Sequence, residues 1–153
     1  MPGCDVGHDA TVTTERLLGG WRLTRWDYTV DSTFRGYPMG EDATGQITYT
    51  SNGRVSAILS FADRKPLDVD QFHKATVEEQ AAAATSYVSY GGSFDVEADR
   101  VIHHVEYSLF PNWIGTDLVR TISWDGDLLV LTSLPETSST GKAVVNRLFW
   151  QPA

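Results

Sequence analysis

At 153 residues the chain has the size of one domain, able to bury about 70% of the surface its unfolded form exposes. A formal charge of −8 at pH 7 without a concentrated basic patch argues against a nucleic-acid partner and disfavours an anionic membrane surface. The aromatic supply of five Trp, six Tyr and six Phe suits strands and the walls of a ligand cavity.

Residues 1–13 read as a flexible tail of small and polar residues, leaving 14–153 as a single domain. The tail holds Cys4, the one cysteine, which cannot form an internal disulfide. It lacks the apolar stretch of a signal peptide, and no segment reaches transmembrane length, so the expected location is the cytoplasm.

Thr14–Leu18 offers one helical turn, ended by Gly19-Gly20, and a first strand follows over Trp21–Val30. A loop rich in Gly, Pro and Asp runs to about Ala43. Gln46–Thr50 alternates polar and apolar residues, the mark of a half-buried strand. Ser51-Asn52-Gly53-Arg54 predicts a hairpin with a type I′ turn, leading into a partner strand Val55–Phe61.

Thr76-Val77-Glu78-Glu79 then forms a capping box, and the alanine run Ala81–Ala84 favours a helix. Gly91-Gly92 is read as its stop, so the helix is placed at about 76–90, between the third and fourth strands. Strands follow at Ser93–Ala98, Val101–Phe110, Asp117–Trp124, Leu128–Leu134 and Lys142–Trp150, with turn signals at Asp99-Arg100 and Asp125-Gly126-Asp127. The sum is a mainly β chain: an eight-stranded antiparallel up-and-down barrel with one inserted helix, and interior room for one small ligand.

Gly19-Gly20-Trp21 has the Gly-x-Trp form found at the first strand of lipocalins. Further stretches are Leu18–Leu23, Gly45–Tyr49, Tyr90–Phe94 and His103–Trp113, the last continuing into Gly115-Thr116-Asp117 and Arg120. Together, over about residues 17–150, they resemble the microbial lipocalin-like domain family. That resemblance implies a lipocalin-type barrel holding a small apolar or polyketide-like molecule, often in a natural-product pathway. It also implies that Trp21 closes the barrel floor with Arg147 packed across it, and it favours His104 over His103 as the inward histidine.

The strand of the two histidines offers the chemistry. Ile102, His104, Glu106 and Ser108 share one face, and His103, Val105, Tyr107 and Leu109 the other. In an open sheet the polar set would face water; a cavity-bearing barrel can reverse this, and His104 is taken as the inward group. His104 would then shuttle a proton, Glu106 would hold its tautomer, and Arg120 would stabilise negative charge. Arg120, flanked on its face by apolar residues, is read either as the partner of Glu106 or as the anchor for a carboxylate, enolate or phenolate. Asn112 and Trp113 lie in the Phe110–Thr116 loop at the barrel mouth, and Tyr49, Tyr90, Phe94 and Ser108 complete a candidate ligand-binding set.

Neighbouring strand residues point apart, so His103, His104 and Glu106 do not make a metal site. No cofactor motif is present, and no cofactor is expected. Three functions fit. The first is a cofactor-independent isomerase, cyclase or dehydratase-type lyase acting on an apolar natural-product intermediate. The second is a carrier or sensor that binds such a molecule unchanged, and the third is a structural module. Association as a homodimer is compatible with all three.

Overall fold

The computed structural model describes residues 6–153, so Cys4 lies outside the described residues. Helix α1 (Val6–Leu17) takes up residues 6–13 of the stretch read as a tail, as well as most of the turn expected at 14–18. Ten strands and a second helix follow: β1 (Gly19–Val30), β2 (Thr33–Gly36), β3 (Thr44–Tyr49), β4 (Arg54–Ser60), α2 (Val77–Thr85), β5 (Tyr87–Glu97), β6 (Arg100–Ser108), β7 (Asp117–Asp125), β8 (Leu128–Ser133), β9 (Glu136–Thr137) and β10 (Ala143–Pro152).

Eight of these strands form the barrel, in the order β1-β3-β4-β5-β6-β7-β8-β10. Pairing of β1 with β10, from Trp21 opposite Pro152 to Val30 opposite Val144, closes it. All pairings are antiparallel. The short strands β2 and β9 extend β1 and β10 beyond the closed wall, within segments expected to be loops. Every barrel strand finds a neighbour on both sides, so closure leaves no long edge open to another chain. No described helix is long and apolar enough to cross a membrane.

One end of the barrel is closed. The tight turns β3–β4, β5–β6 and β7–β8 lie there together with α1. Leu17 is fully buried, and its carbonyl accepts a 2.8 Å hydrogen bond from Trp21 Nε1. Trp21 packs on Trp124 at 6.0 Å between centroids, and the Arg16 guanidinium lies 3.7 Å above the Trp124 ring. Trp21 is thus a floor residue, as the resemblance implies, but Arg147 is not the group across it. Arg147 instead pairs with Asp27, directly opposite on β1. The longer connections, 31–43, 61–86, 109–116 and 134–142, gather at the other end and surround the mouth.

The capping box forms as expected: Thr76 Oγ1 accepts from Glu79 N–H, and Glu79 accepts from Thr76 N–H. The helix nevertheless stops at Thr85, and Tyr87–Tyr90 are strand, not helix. Gly91-Gly92 serves a different purpose from the expected stop. The β5–β6 register slips there, Gly91 facing Tyr107 and Gly92 facing Val105, which leaves Glu106 as the extra residue of a bulge. A Cβ on Gly92 would sit 1.9 Å from the His104 carbonyl oxygen, so this approach needs glycine.

The hairpin at Asn52-Gly53 is present, but its turn is not type I′. Only Gly53 has positive φ, and Gly53 N–H bonds to Thr50 O across a three-residue loop, the form made from an ordinary turn plus a left-handed glycine. Gly126, at φ 59° and first in the two-residue turn between Asp125 and Leu128, fits a type II′ hairpin.

Candidate functional site

Inward side chains of the barrel enclose a cavity of about 160 Å³ that opens toward the mouth beside Trp113 and Glu136. A cavity of roughly 150 Å³ suffices for a benzene-sized ring. Ile47, Ala57, Leu59, Leu131 and Leu148 supply aliphatic wall, and Trp26, Tyr90, Trp113 and Trp150 supply aromatic wall. The polar groups among them are His103, Arg120, Ser133, Glu136 and Asn146.

The inward histidine is His103, which overturns the choice of His104. Along β6, Val101, His103 and Val105 are buried while Ile102 and His104 turn outward, so the plain alternation of a half-polar strand holds. His103 is 1% exposed and is hydrogen-bonded on both ring nitrogens: Nε2 to Tyr49 Oη and Nδ1 to Tyr90 Oη, each at 2.8 Å. Burial pushes His103 down to about 3, and the charge of Arg120 and then of His104 adds to this. The imidazole is therefore neutral near pH 7. It carries one N–H, so one tyrosine donates its O–H to the bare nitrogen while the other accepts. Burial raises both tyrosines above the ordinary phenol value, Tyr49 strongly, so both remain hydroxyls.

The three expected catalytic residues do not meet. His104 spans the outside of the barrel, Nδ1 2.7 Å from Asp117 and Nε2 2.8 Å from Asp95. Those two carboxylates, Asp117 first, hold its pKa above the ordinary value. Glu106, on the outer bulge, pairs with Arg54 and not with Arg120. Arg120 alone of the three borders the cavity. Among the described residues it has no ion pair, and its one hydrogen bond runs from Nη1 to the Val119 carbonyl at 3.0 Å.

Of the expected ligand-binding residues, Tyr90 and Trp113 line the cavity, edge-to-face at 5.8 Å. Tyr49 is buried behind His103, and Phe94 stands against Tyr49 at 4.9 Å, so both support the histidine from behind. Ser108 lies past the bulge, where its Oγ accepts from Phe110 N–H, and Asn112 is exposed in the 3-10 turn Pro111–Trp113. Neither borders the cavity.

Sequence reasoning missed Trp26, Ser133 and Asn146. Trp26 Nε1 donates to Asn146 Oδ1 at 2.9 Å, and Asn146 N–H donates to Ser133 Oγ at 2.9 Å. These links join β8 and β10 to β1, whose Trp26 stands 120 residues before Asn146 in the chain. Trp150 adds a buried indole N–H without a partner among the described residues.

Residues 18–153 match the family model described as a lipocalin-like domain. The chain is also similar to the 4'-hydroxy-3'-methoxypropiophenone carrier protein of Aspergillus oryzae, with 36% identity over 89 residues covering 53% of this chain and 80% of that protein. No solved structure matches the chain.

Proposed function

The chain belongs to the lipocalin-like domain family, and from that premise we propose that it is a carrier: it holds one small, ring-containing natural-product molecule in the barrel and releases it unchanged. The observation that carries this reading is the state of His103. Both its nitrogens are engaged by buried or half-buried tyrosines, and burial, which pushes its pKa down to about 3, keeps the ring neutral near pH 7. A general acid or base works best with a pKa near the operating pH, and this group lies several units away. The isomerase, cyclase or lyase alternative depended on His104 and Glu106 beside Arg120, and these two face outward.

The cavity size agrees with one substituted ring, and its aromatic wall provides stacking surface on several sides. The phenone named for the Aspergillus oryzae relative is a ligand of this class. The test is to titrate that phenone into the protein, follow tryptophan emission from Trp26, Trp113 and Trp150, and then extract the ligand for mass spectrometry. Saturable quenching with quantitative recovery of unaltered ligand supports a carrier. Time-dependent conversion, lost in His103→Gln, returns the enzyme reading. Absence of saturable binding by this phenone and by smaller phenols removes both.

A further inference from the structure

We propose that the cavity takes a small aromatic acid, such as a phenol or an enolised ketone, as its anion, bound by a row of three donors on neighbouring strands: Arg120, Ser133 and Asn146. This rests on the cavity being the ligand site.

Arg120 on β7 is paired in register with Ser133 on β8, and Ser133 is tied to β10 by the hydrogen bond from Asn146 N–H. Directly opposed residues on adjacent strands have Cβ atoms roughly 5 Å apart, so the three side chains form one band across the wall. All three line the cavity. The chemistry of the band is one-sided. Trp26 Nε1 can only donate, so Asn146 must present Oδ1 to it and leave the Nδ2 hydrogens free. Ser133 Oγ already accepts from the backbone, which leaves its own proton to give. The Arg120 guanidinium has used one N–H on a carbonyl. Among the described residues, none of the remaining donors has an acceptor. Glu136 also borders the cavity, but it is exposed at the mouth and forms no ion pair with Arg120.

A partly buried cation without a counter-charge is unfavourable, and a neutral carbonyl would relieve the unmet hydrogen bonds but not the charge. An anionic oxygen relieves both, and charge-assisted bonds to it are about twice as strong as neutral ones. His103, Tyr49 and Tyr90 are neutral and bonded to one another, so none of them offers Arg120 a negative charge. Uptake of an acid from solution then loses its O–H proton to bulk water, and the O–H bond electrons stay on the oxygen that faces Arg120.

The experiment compares 4-nitrophenol with 4-nitroanisole, which has the same ring but no acidic proton, on the full chain. The pH is set below the free phenol's own pKa. Bound 4-nitrophenol is expected to show the yellow phenolate band and to bind about tenfold or more tightly than 4-nitroanisole. Arg120→Gln should abolish the band and cost 4-nitrophenol about tenfold or more, leaving 4-nitroanisole within about twofold. Arg120→Lys should retain the band, and Asn146→Ala should weaken 4-nitrophenol a few-fold. If Arg120→Gln fails to fold, proton release on 4-nitrophenol binding, measured for wild type in buffers of different ionisation enthalpy, decides instead. Equal affinity for both probes, with 4-nitrophenol bound in its neutral form, overturns the proposal and leaves the carrier reading standing. Failure of both probes to bind overturns the carrier reading and this proposal with it.

Discussion

His103 makes the protein sensitive to mild acid in a range where few other groups titrate. Folded, its pKa is pushed to about 3; unfolded, it returns to about 6.5. Below pH 6.5 the unfolded chain takes up a proton that the folded chain refuses, so stability falls as pH falls. Full development of this effect is about 1.4 kcal/mol per pH unit, and integrating from pH 6.5 to 4.5 gives a loss of about 2 kcal/mol. That window lies above the ordinary carboxylate values of about 4, whose protonation sets in only toward its acid end and is shared by wild type and variant, and it separates His103 from His104. The pKa of His104 is raised, so its contribution is complete below its unfolded value and is lost as pH rises through the folded one. The measurement is urea unfolding at half-unit steps between pH 6.5 and 4.5, on wild type and on His103→Gln. Glutamine keeps a donor and an acceptor for the two tyrosines but cannot titrate. Wild type should lose about 2 kcal/mol more than the variant over the window. Equal slopes in the two proteins would refute the argument, because the acid sensitivity would then originate elsewhere.

Asp27→Ala should destabilise by about 2 kcal/mol in urea unfolding: Asp27 is fully buried and receives Arg25 at 2.6 Å and Arg147 through two bonds at 2.9 Å. The figure stays at the low end because both arginines are more than one-third exposed and can turn to water. Gly92→Ala should cost more than about 2 kcal/mol, since its Cβ would collide with the backbone oxygen of His104 and not with a movable side chain. His104→Ala should change stability by less than about 1 kcal/mol at neutral pH and leave ligand affinity unaltered, as its ion pairs are exposed and lie outside the barrel. The same variant should lose part of the wild-type decline in stability on the alkaline side of neutrality, read from thermal melts between pH 6.5 and 8.5.

The fold was readable because its signals are local. Alternation over Gln46–Thr50, the Asn52-Gly53 and Gly126 turns and the Thr76–Glu79 cap each act within a few residues, and each appears in the structure. The end of α2 was misread for a related reason. Gly91-Gly92 is a strong local stop, but in the folded chain Gly92 is needed for close approach to β6, a requirement set by His104, a residue of the next strand. Propensity favoured helix through the alanines, and pairing with β4 drew Tyr87–Tyr90 into the sheet.

The site was harder to read because two adjacent histidines differ by one step of a period-two pattern. Alternation sets His103 with Val105, Tyr107 and Leu109 on the more apolar face and so pointed inward for His103, whereas the family resemblance favoured His104. The deciding contacts come from other strands: Tyr49 of β3 and Tyr90 of β5 meet His103, while Asp95 of β5 and Asp117 of β7 meet His104. Viewed this way, the acids around His104 explain its outward position. An imidazolium bridging two carboxylates is comfortable in water, whereas two tyrosine hydroxyls are the partners a buried neutral ring requires. Arg120 has neither kind of partner: on its strand it is an arginine between apolar neighbours, and in the barrel it faces a cavity with most of its donors unused. His103, His104 and Glu106 of β6 are all matched within the protein, which leaves the guanidinium of Arg120, on the cavity wall, as the point where an outside molecule would be recognised.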